Sequence, residues 1–168
     1  NNLGIIMKSE VMEQFKSIDN DSKAKLRNSG IRFGYKTIYD ATLLKPEASK
    51  VRISLFNAFR TATQLKVLQP QAGLVTIIYD KDISKHQYLV AGFFVAGSRA
   101  IRIDILERLY FLIKEYAKEE WIVIQPTMLS ITGLGLEDFA KLIKSLRFEI
   151  RYEKVKKGDT VITLEKEG

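Results

Sequence analysis

The chain has 168 residues, a formal net charge of +7, 46% hydrophobic residues and no cysteine. Such a chain builds one domain or two small ones around a buried core, and disulfide and thiolate chemistry are excluded. No apolar run approaches the roughly 18 residues of a membrane span, and residues 1–16 carry charges within their apolar pattern. We therefore expect no signal peptide, no membrane partner and a cytoplasmic protein. The chain begins at Asn1 rather than Met, from which we expect a fragment of a longer protein.

Helices and strands alternate in the first half of the chain. The apolar spacing of residues 5–18 predicts a helix, and "DNDS" at 19–22 predicts its end and the cap of a short helix that stops at Asn28. Residues 31–39 alternate apolar with polar or basic side chains, which predicts one strand with a basic face. Residues 74–79 predict a buried strand.

A basic amphipathic helix is predicted to start at Pro46, because the missing N–H of proline costs nothing in a first helical turn. Its apolar residues form one stripe on a helical projection, and we expect this stripe to face the core. Lys50 lies on the opposite face, and Arg52 borders the stripe. The stripe consists of Ala48, Val51, Leu55, Ala58 and Phe59.

The middle of the chain continues the alternation. Residues 80–87 are interpreted as a polar loop, 88–97 as a strand or short helix, and 99–105 as another strand. Residues 104–120 have the strongest helical pattern in the chain. The apolar face of this helix consists of Leu106, Leu109, Tyr110, Ile113, Tyr116 and Ala117.

The C-terminal residues predict a winged helix. Helices are predicted over 126–133 and 136–146, joined by a "GLG" turn. Two alternating segments then flank "KKGD" at 156–159, which is typical of a hairpin turn. Together with the preceding helix, this order matches a helix-turn-helix variant with a β wing.

These elements predict an α+β fold, with a mixed small sheet and packed helices followed by a winged-helix-like part. We place a domain boundary near residue 98. Residues 1–97 would form an α+β accessory domain with a basic surface, and residues 98–168 the winged-helix-like domain.

Motifs for catalysis are weak. "GFFVAGSR" has Gly92 and Gly97 near the spacing of a phosphate loop, but Ser98 stands where the phosphate-binding lysine belongs and two phenylalanines fill the loop. His86 is the one histidine, so with no cysteine a structural zinc site and a His-based triad are excluded. We identify no active site, cofactor site or metal site, and we expect no catalysis by this fragment itself.

Basic residues are concentrated in two zones. Residues 23–60 hold nine basic and two acidic residues and 141–157 hold seven and two, whereas 104–138 hold three and seven. Such zones are typical of proteins that contact nucleic-acid phosphates without reading sequence, although a solvated charged face is an equally good interpretation. The candidate nucleic-acid contacts are Arg32, Lys36, Lys45, Lys50, Arg52, Arg60, Lys141, Lys144, Arg147, Arg151, Lys154, Lys156 and Lys157.

Two further features bear on nucleic-acid binding. The outward face of the helix at 136–146 offers no Arg, Asn or Gln to read base edges, so sequence-specific operator binding is not expected, and the winged helix has packing as an alternative role. Some aromatic residues are candidates for stacking on bases, with core positions as the alternative. These aromatic residues are Tyr35, Tyr39, Phe93, Phe94 and Tyr152.

Three blocks of the sequence carry a family resemblance. They are "GIRFGYKTIYDATLLKPEASKVRISLFNAF" (30–59), "YLVAGFFVAGSRAIRIDILERL" (88–109) and "TMLSITGLGLEDFAKLIKSLRFEI" (127–150). Together they resemble the C-terminal region of α-proteobacterial superfamily 2 DNA/RNA helicases, which are related to the mitochondrial RNA-degradosome helicase. The chain departs from that pattern at Phe56, where the family often has Trp, and at 40–42, where it often has Pro.

The resemblance implies that the residues that hydrolyse ATP lie in upstream motor domains and outside this chain. The chain would be a non-catalytic part of an ATP-dependent helicase, contacting single-stranded RNA or DNA or bracing the motor. Its partners would be non-specific nucleic acid and the motor domains, with no cofactor in this fragment. The alternatives are a free-standing winged-helix regulator that binds duplex DNA, and a protein-interaction module that binds acidic partners.

Overall fold

The computed structural model describes residues 3–59, 68–69, 73–116, 122–154 and 160–166, with the backbone alone described at 122 and from 149 onward. Within these residues the chain forms seven α-helices and nine strands, arranged in three antiparallel sheets of three strands each. The α+β class predicted from the sequence is confirmed. No helix in this part of the chain is long and apolar enough to cross a membrane.

The first sheet consists of β1 (Ile5–Met7), β2 (Ile31–Phe33) and β3 (Thr37–Asp40), in the order β1-β3-β2. The prediction of one helix over residues 5–18 is therefore wrong at its start, and the α-helix α1 covers only Met12–Ser17. The β-branched Ile5 is fully buried and pairs with a residue of β3, so pairing in the sheet overrides the helical spacing.

The short helix predicted up to Asn28 is confirmed as α2 (Asn20–Asn28). Asp19 caps this helix, since its carboxylate accepts a hydrogen bond from the backbone N–H of Ser22 at 2.8 Å. The single strand predicted over 31–39 is wrong, because the chain turns at residues 34–36 and returns as the β2–β3 hairpin.

The helix predicted to start at Pro46 is confirmed as α3 (Pro46–Ala58), but its buried face is not the predicted one. Arg52 is 4% exposed, and the buried side packs against α4 (Lys85–Val90), a helix that begins inside the predicted polar loop. The predicted orientation of the stripe is wrong, because the position of α4 decides which side of α3 is covered. The exposed stripe residues are Val51, Leu55, Ala58 and Phe59.

The second sheet consists of β4 (Thr76–Ile78), β5 (Phe93–Ala96) and β6 (Arg99–Arg102), in the order β4-β6-β5, and α5 (Ile103–Tyr116) follows directly. The predicted strands at 74–79 and 99–105 are present in shortened form. The predicted domain boundary falls in the turn between β5 and β6, and these strands pair with each other along their full length. Backbone hydrogen bonds therefore cross that boundary.

The third sheet has the order β7-β9-β8 and includes the predicted hairpin. Both helices predicted in this region are confirmed, whereas the two-residue strand β7 is not among the predicted elements. The predicted hairpin turn at 156–159 lies outside the described residues. In chain order the elements are β7 (Ile122–Val123), α6 (Pro126–Thr132), α7 (Leu136–Ser145), β8 (Phe148–Lys154) and β9 (Thr160–Lys166).

The largest core cluster lies between α5, α6 and α7, and it confirms most of the predicted apolar faces of α5 and α7. Tyr116 differs, since it is exposed at the end of α5. The rest of the helix predicted over 104–120, including Ala117, lies outside the described residues. At the other end of α5, Ile103 packs with Ile5 and Tyr39, which fastens the first sheet to this helix. The fully buried members of the largest cluster are Ile101, Leu106, Leu109, Met128, Phe139, Leu142 and Ile143.

Candidate nucleic-acid interface

A cleft of about 480 Å³ opens where the first sheet and the end of α2 meet α5. Among the described residues, its charged lining consists of four cations and one carboxylate, that of Glu107. The cations are Lys8, Arg27, Arg32 and Lys114. Aromatic residues and Gly34 complete the lining, and the aromatic ones are Phe33, Tyr35, Tyr39, Tyr110 and Phe111.

The wall of the cleft contains a stacked pair of tyrosines. The rings of Tyr35 and Tyr110 lie 4.6 Å apart between centroids and are inclined by 23°. Tyr110 is 5% exposed and Tyr35 is 53% exposed, so the buried ring supports the other from behind. Phe111 is also exposed. Tyr35 thus presents an aromatic surface to solvent at a fixed position, which suits stacking of a planar ligand.

Glu107 of α5 fixes the hairpin that carries Tyr35. Its carboxylate accepts hydrogen bonds from the backbone N–H groups of Lys36 at 3.0 Å and Thr37 at 2.8 Å, and from the Thr37 hydroxyl at 2.7 Å. It also accepts one from the N–H of Tyr35. Gly34 lies so close to this carboxylate that a Cβ there would collide with it. A side chain at position 34 would therefore displace the Glu107 carboxylate from its place beside the turn.

Several cations at the cleft are held against aromatic rings. The Arg27 guanidinium lies 5.4 Å from the centroid of Phe33, and the Lys36 ammonium lies 5.7 Å from that of Tyr35. The Lys8 ammonium lies 4.5 Å from the Phe15 centroid and donates to the carbonyl of Gly34 at 3.3 Å. Cation–π contacts orient these groups while leaving hydrogen-bond donors for an anion.

The hydroxyls of Tyr39 and Tyr110, two tyrosines of the cleft, stay neutral at ordinary pH. Burial raises the pKa of Tyr110, with a smaller contribution from Tyr35 and Glu107, and burial likewise raises the pKa of Tyr39. The Tyr110 hydroxyl has no hydrogen-bond partner among the described residues. Since neither phenol ionises near pH 7, the described cations of the lining keep their excess over the Glu107 carboxylate.

The fold places the predicted nucleic-acid contacts of the first basic zone in different parts of the structure. Arg32 lines the cleft and Lys36 lies over its two stacked rings. Lys45, directly before α3, and Lys50, on α3, are exposed elsewhere, and the Lys50 ammonium pairs with Glu47 at 3.0 Å. The predicted surface contact at Arg52 is wrong, because this side chain is buried between α3 and its neighbours.

The predicted contacts in the second basic zone lie on or after α7. Lys141 and Lys144 are exposed, and the Lys141 ammonium forms an ion pair with Glu137 at 2.8 Å that raises the pKa of Lys141. Arg147 is exposed directly after the helix with φ of 68°. The remaining predicted cations have side chains outside the described part of the structure. They are Arg60, Arg151, Lys154, Lys156 and Lys157.

The predicted stacking residues are divided in the same way. Tyr35 and Tyr39 line the cleft, whereas Phe93 is buried and Phe94 packs against the core. The side chain of Tyr152 lies outside the described residues.

Most of the residues that line the cleft were not among the predicted site residues. They are Lys8, Arg27, Phe33, Gly34, Glu107, Tyr110, Phe111 and Lys114. Phe111 had a usable signal, because it stands off the predicted apolar face of its helix and is 66% exposed. Lys8 had none, since it lies in a segment predicted as helix. The cleft joins segments up to about a hundred residues apart, a proximity that local patterns do not contain.

No protein-family model, curated protein or solved structure in the comparisons matches this chain. What the cleft can bind therefore has to follow from the residues that line it. An exposed aromatic ring beside four cations can stack a base and neutralise the adjoining phosphates, which is the combination used by proteins that bind single strands.

Proposed function

We propose that this chain is a non-catalytic nucleic-acid-binding region and that its cleft holds a single strand of RNA or DNA. The observation that carries the proposal is the exposed Tyr35 ring, backed by Tyr110, in a cleft with four cations. A base stacks on Tyr35 and the backbone phosphates lie along the cations. A duplex hides its base faces, so this arrangement favours a single strand.

The proposal includes a partner. By its resemblance to helicase C-terminal regions, the chain accompanies upstream motor domains that hydrolyse ATP, and the cleft guides the strand that they move. The close joint between Glu107 and the hairpin supports a guiding role, because a guide must keep its shape while the strand slides. This fragment then binds nucleic acid without ATP.

A winged helix that binds duplex DNA is the second candidate. The element order α5, β7, α6, α7, β8, β9 and the sheet order β7-β9-β8 support it, since a short strand between the first two helices pairs with the hairpin in winged helices. The charges on α7 favour a packing role over DNA binding. The Lys141 ammonium pairs with Glu137 and lies near Asp138, and these two carboxylates would repel DNA phosphates at the start of the helix.

The test compares two tyrosine variants for binding to a fluorescent single-stranded oligonucleotide. Tyr35→Ala should weaken binding by about 5- to 150-fold, the range expected for one base–aromatic stack worth roughly 1–3 kcal/mol. Tyr116→Ala is the matched control, since Tyr116 is exposed on α5 outside the cleft lining. Equal affinities of the two variants, or stronger binding to a duplex of the same length, would rule out the cleft as the binding site.

A further inference from the structure

Arg52 is a buried charge that has no partner among the described residues. The side chain lies in the middle of α3 and is 4% exposed. None of its three guanidinium nitrogens has a hydrogen-bond partner within the described part of the chain. Buried arginines are almost always paired, because a buried charge loses its hydration and needs other groups to replace it.

Within the described residues, no neighbouring polar group replaces the hydration that the guanidinium of Arg52 has lost. Ser49, one turn earlier on α3, donates its hydroxyl to the carbonyl of Ala91 at 2.8 Å. Burial lowers the pKa of Arg52 to about 10, and no carboxylate opposes this effect. The guanidinium is therefore still charged at neutral pH, with its positive charge uncompensated.

The turn between α4 and β5 lies directly against this guanidinium. Gly92 has φ of 89°, and a Cβ added there would lie 3.2 Å from Nη2 of Arg52 and 2.9 Å from Cδ2 of Leu44. Glycine thus leaves the space that the guanidinium occupies. Leu44, which is partly buried, lies on the other side of this space.

We propose that Arg52 anchors a binding site for a small oxyanion, a phosphate or carboxylate group, where α3 meets the turn after α4. A guanidinium presents parallel N–H donors in one plane, and two oxygens of such an anion accept them together. Since no described residue accepts a hydrogen bond from any of its three nitrogens, a complete bidentate edge faces this site without a protein acceptor from the described chain. The site is separate from the aromatic cleft, whose lining does not include Arg52.

The first test is thermal unfolding of the whole chain while chloride is replaced by inorganic phosphate at constant ionic strength. The midpoint of the wild-type chain should rise along a saturable curve, by roughly 4–8 °C at about thirty times the dissociation constant. Arg52→Met should lose this rise. Lys85→Met, which removes one exposed cation from α4, should keep it.

The same data contain a second readout. Without phosphate, Arg52→Met should unfold at the wild-type midpoint or above it, because an unpaired buried charge has been replaced by an apolar side chain of similar length. Arg52→Lys keeps the charge without the planar fork, so its phosphate response should be well below that of the wild type. This variant also serves as the test if Arg52→Met does not fold.

Three outcomes would overturn the proposal. They are a wild-type midpoint unchanged by phosphate, an equal rise in Arg52→Met, which marks a general salt effect, and an undiminished response in Arg52→Lys. Acetate in place of phosphate then distinguishes the source of the group. A rise with acetate alone assigns the site to a carboxylate, and a rise with phosphate alone assigns it to a phosphate group.

Discussion

At the scale of single residues, Glu107 decides the geometry of the cleft. One carboxylate accepts hydrogen bonds from three consecutive backbone N–H groups and a hydroxyl, all on the hairpin that carries Tyr35. The contact joins residues about seventy positions apart in the chain. It therefore acts on the stability of the protein and on the position of the aromatic surface at once.

Replacement of Glu107 by Ala should lower the free energy of unfolding by about 2–3 kcal/mol, because the hairpin N–H groups lose their acceptor. Urea unfolding measures this change. Glu115→Ala is the control, since Glu115 is exposed on the same helix. A loss no larger than that of the control would show that the hairpin does not depend on the carboxylate.

Gly34→Ala should also destabilise the chain, because the new Cβ meets the Glu107 carboxylate. The two changes share one contact, so their effects should not add. In the double variant Gly34→Ala/Glu107→Ala, the alanine at position 34 should cost at least about 1 kcal/mol less than it does alone. Strict additivity in urea unfolding would contradict the close approach.

Asp19 and Asp40 make stability depend on acid pH. Hydrogen bonds from Ser22 lower the pKa of Asp19, and hydrogen bonds from Thr42 lower that of Asp40. A carboxylate with a lowered folded-state pKa stabilises the fold fully above its unfolded value, and this contribution disappears as the pH falls through the folded value. Stability should therefore decline below about pH 4, and Asp19→Asn, which keeps a capping side chain, should show a smaller decline. An identical pH profile for the variant would contradict the role of Asp19.

At the scale of elements, α3 shows how tertiary contacts override an apolar stripe. The sequence pattern places Leu55 inside and Arg52 near the surface, and the fold reverses both because α4 covers the other side. The start of α3 at Pro46 follows from local chemistry and is predictable. Its rotation about its own axis depends on a partner helix, α4, that begins inside the segment predicted as a polar loop.

The orientation of α3 can be checked with two alanine variants. Leu55→Ala should change the free energy of unfolding by no more than about 0.5 kcal/mol, because Leu55 is exposed. Ile53→Ala should cost roughly 1–2 kcal/mol, since Ile53 packs partly buried against the cluster around Tyr88 and Phe93. The reverse order of the two losses would restore the orientation predicted from the stripe.

The buried faces of some helices can be predicted from the sequence, whereas short strands and turns cannot. The faces of α5 and α7 are predictable because long amphipathic helices record their buried side in a repeated pattern, as at Leu106, Leu109 and Phe139. The hairpin at residues 34–36 is not predictable, since the turn is held by Glu107 from a distant helix. The two-residue β7 is too short to show any period. For the same reasons, the sequence predicts only the part of the cleft that lies on the β2–β3 hairpin.

At the scale of the whole molecule, the cleft collects cations that are scattered along the sequence. Single-strand binding should therefore weaken steeply with salt, with a slope of about 0.7 for each phosphate contacted. Arg32→Gln should reduce that slope by about 0.7, and Lys85→Gln, outside the cleft, should leave it unchanged. Salt titrations followed by fluorescence anisotropy give both values. Equal slopes for the two variants would show that Arg32 does not contact a phosphate of the bound strand.

The most direct test of the proposed cleft is photo-crosslinking of a single-stranded oligonucleotide to the whole chain, with mass spectrometric mapping of the linked peptides. Crosslinks are expected at Tyr35 and Phe111, the exposed rings of the cleft. Crosslinks confined to residues 136–166 would contradict it and would place nucleic acid on α7 and the β8–β9 hairpin instead.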